Sequence, residues 1–380
     1  MGSDELQFHA FCLTDTGSRL DQYARAIARA VRPGDVVIDL GAGTGILSFL
    51  ACAAGARCVY AIETSDAIGY GELLATAGGF HDRVRFIRSP STQVTLPERV
   101  DAIIADIHDT FGLQASGIGS LLDARDRLLK PDGALVPSRI DLFAAPVEAH
   151  DLYRKTVDVW QQQIHGVDLS PLRQLAVNER HPGRFRPTQL LAPPALIASI
   201  DLTTTQGLHH GGEAQVTASR TGTLHGICGC FVTTLGGDVS IANVPGDERT
   251  TNFAQAFFPI DTPHAIGRGD AIAIQIDAYD GAQHRWQVTV APRDPDARVR
   301  FDHSTFLAAP VRPDELQKRA SDYRPRLTAR GAMERELLSK FDGATSAADL
   351  ERWVLDRFGD QLPSAREAAA LLKATIERCG

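Results

Sequence analysis

The first 140 residues alternate between helical and strand-like patterns of hydrophobic and polar positions. A stretch with apolar residues at helical spacing, SRLDQYARAIARAV, precedes a short and almost wholly apolar run, DVVIDLG, that is typical of a buried strand. The alternation continues through GILSFLACAAG, CVYAIE, RVRFIRS, VDAIIAD, IGSLLDARDRLLK and GALVPSR. Apolar strands that alternate with helices predict a mostly parallel sheet, so we expect an α/β domain over residues 1–140.

The pattern changes after residue 140. Segments of strand composition follow one another with Gly, Asp and Pro turns between them, as in EAQVTASRTGTLHGICGCFVTTL, AIAIQIDAYDG and RWQVTVAP. This is typical of an antiparallel sandwich or barrel, which we place at residues 141–310. From residue 311 helical periodicity returns, with capping residues at Ser346 and Ser364, and predicts a small helical or winged-helix module over residues 311–380.

Composition narrows the class of protein. The 380 residues are 43% hydrophobic, which is enough to fill two or three domain cores, and no apolar run approaches the ~20 residues of a membrane span. The start, MGSDELQFHA, lacks a secretory pattern, so we expect a cytoplasmic protein. The net charge of -8 argues against nucleic acid as a partner. Cys228 and Cys230, the only close cysteine pair, fall on one face of a predicted strand and favour core packing, so we expect no metal site.

A glycine turn follows the first predicted strand. In VVIDLGAGTGILS, Gly41, Gly43 and Gly45 let the backbone turn tightly and approach a ligand, but their spacing differs from the fingerprint of dinucleotide enzymes. Glu63 ends the second strand, where a carboxylate accepts hydrogen bonds from both hydroxyls of a ribose. With Asp39 placed to attract a positively charged amino-acid group, the combination predicts an S-adenosylmethionine site.

From about residue 16 to 290 the chain resembles the protein arginine methyltransferases. The likeness lies in RLDQY, DLGAGTGILS, GARCVYAIE, VTLPERVDAIIAD, ARDRLLKPDGALVPSRIDLF and TNFAQAFFPI. It implies a Rossmann-like class I methyltransferase domain and an antiparallel β-barrel with a helical dimerisation arm, here at about 155–190, and hence a homodimer. It also implies that Arg19 holds the cofactor carboxylate and Glu63 the ribose. Thr92 stands where the family usually places a glutamate on the adenine amine.

The resemblance breaks down in the two loops that surround the acceptor. The family's two glutamates, which clamp the guanidinium, align with Asp106 and Ala115, and its Thr-His-Trp loop aligns with Thr251, Asn252 and Phe253. Because a buried cation would lose one charged partner, arginine becomes a poor acceptor. We therefore expect a methyltransferase of specialised metabolism whose acceptor is a small molecule or a peptide, and not a plain protein arginine.

Acid and imidazole groups directly follow the apolar run VDAIIAD. Methyl transfer needs an oriented acceptor and, when the acceptor carries a proton, a group that removes it. We expect Asp106 to orient the acceptor and His108 or Asp109 to take its proton. The alternatives are that His108 only bonds to backbone and that Asp109 caps a turn.

Two further functions remain open from the sequence. The first is a protein or peptide arginine N-methyltransferase with an altered clamp, in which another acid such as Asp109 replaces the missing glutamate. The second is a non-catalytic scaffold that binds the cofactor and uses its arm for assembly.

Overall fold

The computed structural model describes residues 10, 19–249, 251–291, 298–310, 312–318, 320–362 and 364–379. The chain divides into two compact units, residues 1–310 and residues 311–380. The predicted boundary at residue 140 lies inside the first unit, and the division into three domains stays a prediction.

The first unit begins with a five-stranded parallel sheet of strand order β3-β2-β1-β4-β5. Its strands are β1 Val36–Leu40, β2 Cys58–Glu63, β3 Val84–Arg88, β4 Val100–Ala105 and β5 Leu129–Val136, and its helices are α1 Asp21–Ala30, α2 Ile46–Ala53, α3 Ile68–Gly78 and α4 Gly117–Leu128. All five residues of β1 are buried, which explains why its sequence is apolar except for Asp39. The expected parallel sheet is confirmed.

The strand order reverses next to β1, and this positions the site. Leu40, the last residue of β1, pairs with Ile62 of β2 on one side and with Ala105 of β4 on the other. Ligands of open α/β sheets bind where the carboxyl ends of the strands diverge in this way. The glycine turn after β1 and the acidic loop after β4 therefore emerge side by side.

Two antiparallel sheets complete the first unit. One contains β6 Arg139–Val147, β9 His181–Gly183, β10 Ala195–Asp201, β12 Gly222–Gly236, β13 Val239–Ala242 and β14 Gln255–Ile266; the other contains β11 His209–Thr217, β15 Ala271–Tyr279, β16 Gln283–Ala291 and β17 Val299–Ser304. The indole N–H of Trp286 in β16 donates to the carbonyl of Pro259 in β14 at 2.8 Å and joins the two sheets. Cys228 and Cys230 are fully buried in β12. No cluster of three or more possible metal ligands occurs among the described residues.

The region of the predicted arm is only partly helical. It contains α5 His150–Thr156, a two-stranded hairpin of β7 Gln163–Ile164 and β8 Val167–Asp168, and α6 Ser170–Val177. The hairpin turn uses His165 and Gly166, which both have positive φ. Ile164, Val167 and Leu172 leave large hydrophobic surfaces exposed here.

The second unit is helical in its described part. It contains α7 Pro313–Lys318, α8 Ala329–Leu338, α9 Ala347–Phe358 and α10 Ala365–Cys379, and no strand occurs between residues 312 and 379 wherever the chain is described. Ser346 caps α9 by accepting a hydrogen bond from the Asp349 amide at 3.2 Å. Leu337, Val354 and Leu371 form its apolar centre. None of the helices described in either unit is long and apolar enough to cross a membrane.

Candidate cofactor and acceptor site

The glycine turn after β1 has a backbone conformation that would be strained in residues with a side chain. Gly41, Gly43 and Gly45 have φ values of 72°, 52° and 78°, in the left-handed region that favours glycine. A Cβ atom at Gly41 would meet no heavy atom within 4 Å, so open space adjoins the turn there. The turn thus leaves room for a ligand to approach its backbone closely.

Glu63 is fixed against this turn by backbone amides. Its Oε2 accepts from the Gly43 N–H at 3.0 Å, and its Oε1 accepts from the amides of Thr64 and Ser65, both at 2.8 Å. Burial alone raises the pKa of Glu63, but the hydrogen bonds from Ser65, Gly43 and Thr64 outweigh it and lower the pKa below its usual value. The carboxylate is therefore ionised and oriented beside the glycine turn, as ribose binding requires.

Asp39 lies almost completely buried near the end of β1. The Ser48 hydroxyl donates to its Oδ2 at 2.6 Å, whereas Oδ1 is buried without a hydrogen-bond partner among the described residues. Burial raises the pKa of Asp39 to about 7, although the hydrogen bond from Ser48 opposes the shift. An unsatisfied buried carboxylate oxygen beside an open glycine turn fits the positive charge of S-adenosylmethionine.

Asp106 continues β4 and forms the centre of the acceptor side. Its Oδ2 forms an ion pair with Nη1 of Arg19, whose side chain is only 5% exposed. Its Oδ1 lies 2.9 Å from Nδ1 of His108. Burial alone raises the pKa of Asp106, but the hydrogen bond from His108 and the charge of Arg19 outweigh it and lower the pKa below its usual range. The side chain keeps 23% of its surface exposed, so an ionised carboxylate remains accessible here.

His108 is enclosed between Asp106, which follows β4, and the side chains of strand β12. Because a carboxylate can only accept, Nδ1 carries the proton in the bond to Asp106. Nε2 lies 2.9 Å from the hydroxyl of Thr233 in β12, and the ring stacks on Phe231 with centroids 5.2 Å apart. The side chain has no exposed surface. Both nitrogens are engaged and neither faces open space, so the geometry favours a positioning role, and proton transfer to His108 stays a prediction.

Asp109 is held by its own loop. Its Oδ1 accepts from the amides of Phe111 and Leu113 at 2.7 and 3.2 Å, and its Oδ2 lies 2.6 Å from Nη1 of Arg180. This is the turn-capping arrangement that the sequence left open as an alternative. Asp109 thus holds its own loop and pairs with Arg180, and its roles as proton acceptor or second clamp acid stay predictions.

The loop after β13 borders the same carboxylate. The Arg19 guanidinium lies over the ring of Phe253, 5.4 Å from its centroid. Arg184 donates to the backbone carbonyl of Asn252 at 2.6 Å and holds this loop from the other side. Thr251 is buried. The residues that align with the family's Thr-His-Trp loop thus lie next to the Asp106 and Arg19 pair.

One buried amide connects the loops around the site. Asn243 has no exposed surface; its Nδ2 donates to the carbonyls of Thr110 and Ala254 at 3.0 and 2.8 Å. Its Oδ1 accepts from the Phe231 amide at 2.7 Å. The loop after β4, the loop before β14 and strand β12 are therefore joined through a single side chain.

The structure brings most of the predicted residues together but not Thr92. The glycine turn, Asp39 and Glu63 form one cluster, and Arg19, Asp106 and His108 form the neighbouring one. Thr92 lies exposed in the short turn Ser91–Gln93, and its contact with adenine stays a prediction.

Sequence reasoning missed the side chains that support the acceptor residues. Thr233 and Phe231 flank His108, and the Tyr23 hydroxyl donates to the carbonyl of Ala105 at 2.9 Å. Tyr23 could have been found, because it stands four residues after Arg19 in RLDQY. Thr233 and Asn243 gave no signal, because their roles depend on how β12 and β13 pack against a loop more than 100 residues away in the chain.

Comparison with known proteins places the chain in a family. Residues 138–293 match the family described as the arginine methyltransferase oligomerization subdomain, and residues 20–141 match ribosomal protein L11 methyltransferase. The chain is 32% identical over 262 residues to protein arginine N-methyltransferase 6 of Xenopus laevis, a match that covers 65% of this chain and 76% of that protein. The chain belongs to the protein arginine methyltransferase family.

Other members differ in how much of their length is matched. The chain is 37% identical over 161 residues to the probable protein arginine N-methyltransferase 6 of Arabidopsis thaliana, which covers 42% of this chain but only 37% of that protein. Two solved structures share the fold. The first is the Trypanosoma brucei PRMT1 enzyme-prozyme heterotetrameric complex with AdoHcy, which has a TM-score of 0.70 and 24% sequence identity; the match covers 78% of this chain and 96% of that one. The second is Arabidopsis thaliana protein arginine methyltransferase 10, which has a TM-score of 0.64 and 21% sequence identity; the match covers 76% of this chain and 94% of that one.

Membership of this family confirms several predictions and contradicts one. The Rossmann-like and antiparallel fold, the class of S-adenosylmethionine-dependent methyltransferase and the cofactor are confirmed. The expectation of a small-molecule acceptor, or of a peptide acceptor other than arginine, is wrong, because the relatives are named protein arginine N-methyltransferases. That expectation treated the residues lost at Ala115 and Asn252 as decisive for the acceptor.

The raised pKa of Asp39 predicts that cofactor affinity depends on pH. Because a positively charged ligand favours the ionised carboxylate, the affinity for S-adenosylmethionine should rise about tenfold between about pH 6 and about pH 8. Calorimetric titration at several pH values measures this. Asp39→Asn should bind more weakly and lose the rise, whereas Asp238→Asn, which removes an exposed carboxylate, should keep it. An Asp39→Asn profile as steep as that of the wild type would contradict the assignment.

Proposed function

We propose that the chain transfers a methyl group from S-adenosylmethionine to a side-chain nitrogen of arginine in a protein or peptide. A nitrogen–carbon bond forms as the sulfonium–methyl bond breaks, and the electron pair of the broken bond stays on the sulfur of the departing S-adenosylhomocysteine. The proton that the guanidinium loses passes to water. The observation that carries the proposal is the ion pair between Asp106 and the guanidinium of Arg19, at the carboxyl edge of the parallel sheet. This carboxylate is ionised and partly exposed, and it already contacts a guanidinium, the group that arginine would present as acceptor.

The proposed roles on the cofactor side follow from the clusters described above. S-adenosylmethionine supplies the methyl group. The turn at residues 41–45 lies along the cofactor, Glu63 accepts from the ribose hydroxyls, and Asp39 faces the cofactor's positive charge through its unsatisfied oxygen. Arg19, which the family resemblance assigns to the cofactor carboxylate, then lies between cofactor and acceptor. Thr92 is the proposed neighbour of the adenine.

Asp106 is the proposed catalytic residue of the acceptor side. A carboxylate binds a guanidinium through charge-assisted hydrogen bonds, and its two oxygens match the planar fork of N–H groups. Holding this cation in place orients one nitrogen lone pair, and orientation is the main contribution that a displacement reaction needs from the protein. The lowered pKa keeps Asp106 charged throughout the neutral range.

His108 is proposed as a positioning residue. It fixes one oxygen of Asp106 and is itself fixed by Thr233 and Phe231. Asn252 aligns with the family's histidine, and His108 is the residue proposed to supply an imidazole in its place.

The clamp has only one acid. Ala115 has no polar side-chain atom, and Asp109 is committed to its own loop and to Arg180. A guanidinium held by one carboxylate loses part of its Coulomb stabilisation, so the acceptor should bind more weakly than a two-acid clamp would allow.

The proposed assembly is a homodimer. Residues 138–293 match an oligomerization subdomain, and Ile164, Val167 and Leu172 expose apolar surface on the hairpin and α6. Leu73 and Leu74 expose a second apolar surface on α3, 69% and 41% of their respective areas. Two such patches on one chain suit reciprocal docking of two copies. A cytoplasmic location also stays a proposal.

The acceptor is tested by mass spectrometry of arginine-containing peptides incubated with the protein and methyl-labelled S-adenosylmethionine. Label on arginine is expected for the wild type. Asp106→Asn should lower turnover about a hundredfold, because the guanidinium loses its charged partner, while the dissociation constant of the cofactor changes by less than about threefold. Asp238→Asn serves as a matched control on an exposed carboxylate.

The positioning role of His108 is tested in the same assay. Thr233→Val, which removes only the hydroxyl that holds the imidazole, should lower turnover less than Asp106→Asn. Bound cofactor without label on any arginine would contradict the proposed function, and full activity of Asp106→Asn would remove that residue from it.

The single-acid clamp predicts a gain of function. Ala115→Glu restores a carboxylate at the second clamp position and should lower the KM for an arginine peptide by about tenfold, since a second charged contact contributes roughly 1.4 kcal/mol. Ala115→Gln has nearly the same shape without the charge and should leave the KM near the wild-type value. Equal effects of the two variants would show that charge at this position does not matter.

The arm predicts a dimer that polar substitution disrupts. Val167→Asp together with Leu172→Asp should shift the mass in sedimentation velocity from dimer to monomer, because burying two carboxylates in an apolar contact is costly. The exposed residue Leu196, 47% accessible on β10, provides a control as Leu196→Asp. A wild-type monomer at all concentrations would contradict the assembly.

A further inference from the structure

A cavity of about 460 Å³ opens on the first unit, away from the glycine turn. It lies between the start of α5 and the segment at residues 184–189. Three cationic side chains line it: Lys155, Arg184 and Arg186. Two acids, Glu148 and Asp151, also line it.

Glu148 does not neutralise these cations. Its Oε1 accepts from the Thr223 amide and its Oε2 from Nη1 of Arg220, both at 2.8 Å. The charge of Glu148 is thus offset by an arginine outside the cavity lining. Asp151 is 85% exposed and lies 3.9 Å from Arg154, a second cation outside the lining. The two acids are therefore balanced by two arginines of their own.

The three cations of the lining have no such compensation. Within the described ranges none of Lys155, Arg184 and Arg186 forms an ion pair, and all three are exposed. Like charges gathered around one concave surface raise the local potential and attract an anion. The chain has a net charge of -8, so three uncompensated cations around one cavity make the local charge opposite in sign to that of the whole chain.

The cavity is connected to the acceptor side of the site. Arg184 lines it and donates to the carbonyl of Asn252 at 2.6 Å, and Asn252 adjoins Phe253, whose ring lies beneath Arg19. Strand β9, which ends at Gly183, pairs with Gln255 of β14. Arg184 thus links the cavity lining to the loop that borders Asp106.

We propose that this cavity binds carboxylates of an acidic segment in the polypeptide that carries the acceptor arginine, an inference that rests on the proposed function. Two guanidinium groups offer planar forks that match carboxylates, and Lys155 adds a point charge. The acceptor is then a protein or peptide in which aspartate or glutamate residues flank the methylated arginine.

The first test measures binding without methylation. The probe is a fluorescein-labelled glutamate-rich peptide that lacks arginine, compared with the same peptide carrying glutamine, and the readout is anisotropy. The double variant Lys155→Ala, Arg186→Ala should weaken binding of the acidic peptide about tenfold and flatten its dependence on salt. Arg184 is left intact because it supports the Asn252 loop.

The control removes the same charge elsewhere. Arg268 and Arg300 are exposed residues of the first unit outside the cavity lining. The double variant Arg268→Ala, Arg300→Ala should bind the acidic peptide within about twofold of the wild type. If both double variants lost the same affinity for the acidic peptide, net charge alone would explain the effect and the proposal would be overturned. Unchanged binding by the cavity variant would also overturn it.

The second test uses methylation. Two peptides carry the same arginine and differ only in glutamate or glutamine in the flanking segment. The glutamate peptide should have a KM about tenfold lower, and the cavity variant should abolish the difference without changing kcat. Equal KM values for both peptides would overturn the inference and leave the proposed function standing. If neither peptide is methylated while the cavity variant still loses the acidic probe, the proposed function fails and the anion site remains.

Discussion

A carboxylate withdrawn from water stays ionised only when positive or hydrogen-bond-donating groups face it, and this constraint organises the acceptor side around Asp106. Arg19 supplies the charge and His108 the hydrogen bond, and together they outweigh the effect of burial on its pKa. Without these partners burial would raise the pKa of the carboxylate. The charge of Asp106 therefore depends on its two neighbours.

These groups come from separate parts of the fold. Arg19 precedes α1, His108 follows β4, and Thr233 belongs to an antiparallel strand that packs against the parallel domain. The cofactor cluster, by contrast, is built from β1, β2 and the turns that follow them. One half of the site is local to a βαβ unit, and the other half exists only where two sheets meet.

This difference explains what could be predicted from the sequence. The strands, the glycine turn and Glu63 carry local signals, because burial and turn geometry constrain the residues themselves. The position of His108 between Asp106 and Thr233 carries no such signal, since a contact over 125 positions depends on strand packing. The wrong acceptor prediction has the same origin. It compared aligned positions one by one, while the structure places an imidazole, that of His108, beside Asp106 from a different loop.

Asn243 holds the loops around the site through backbone contacts alone. Its carboxamide bonds to three backbone groups and to none of the side chains that surround the acceptor. The shape of the loops is thus set independently of the residues they display. Directed evolution that held this asparagine constant and randomised its surroundings would search for new selectivity on a scaffold whose architecture stays intact.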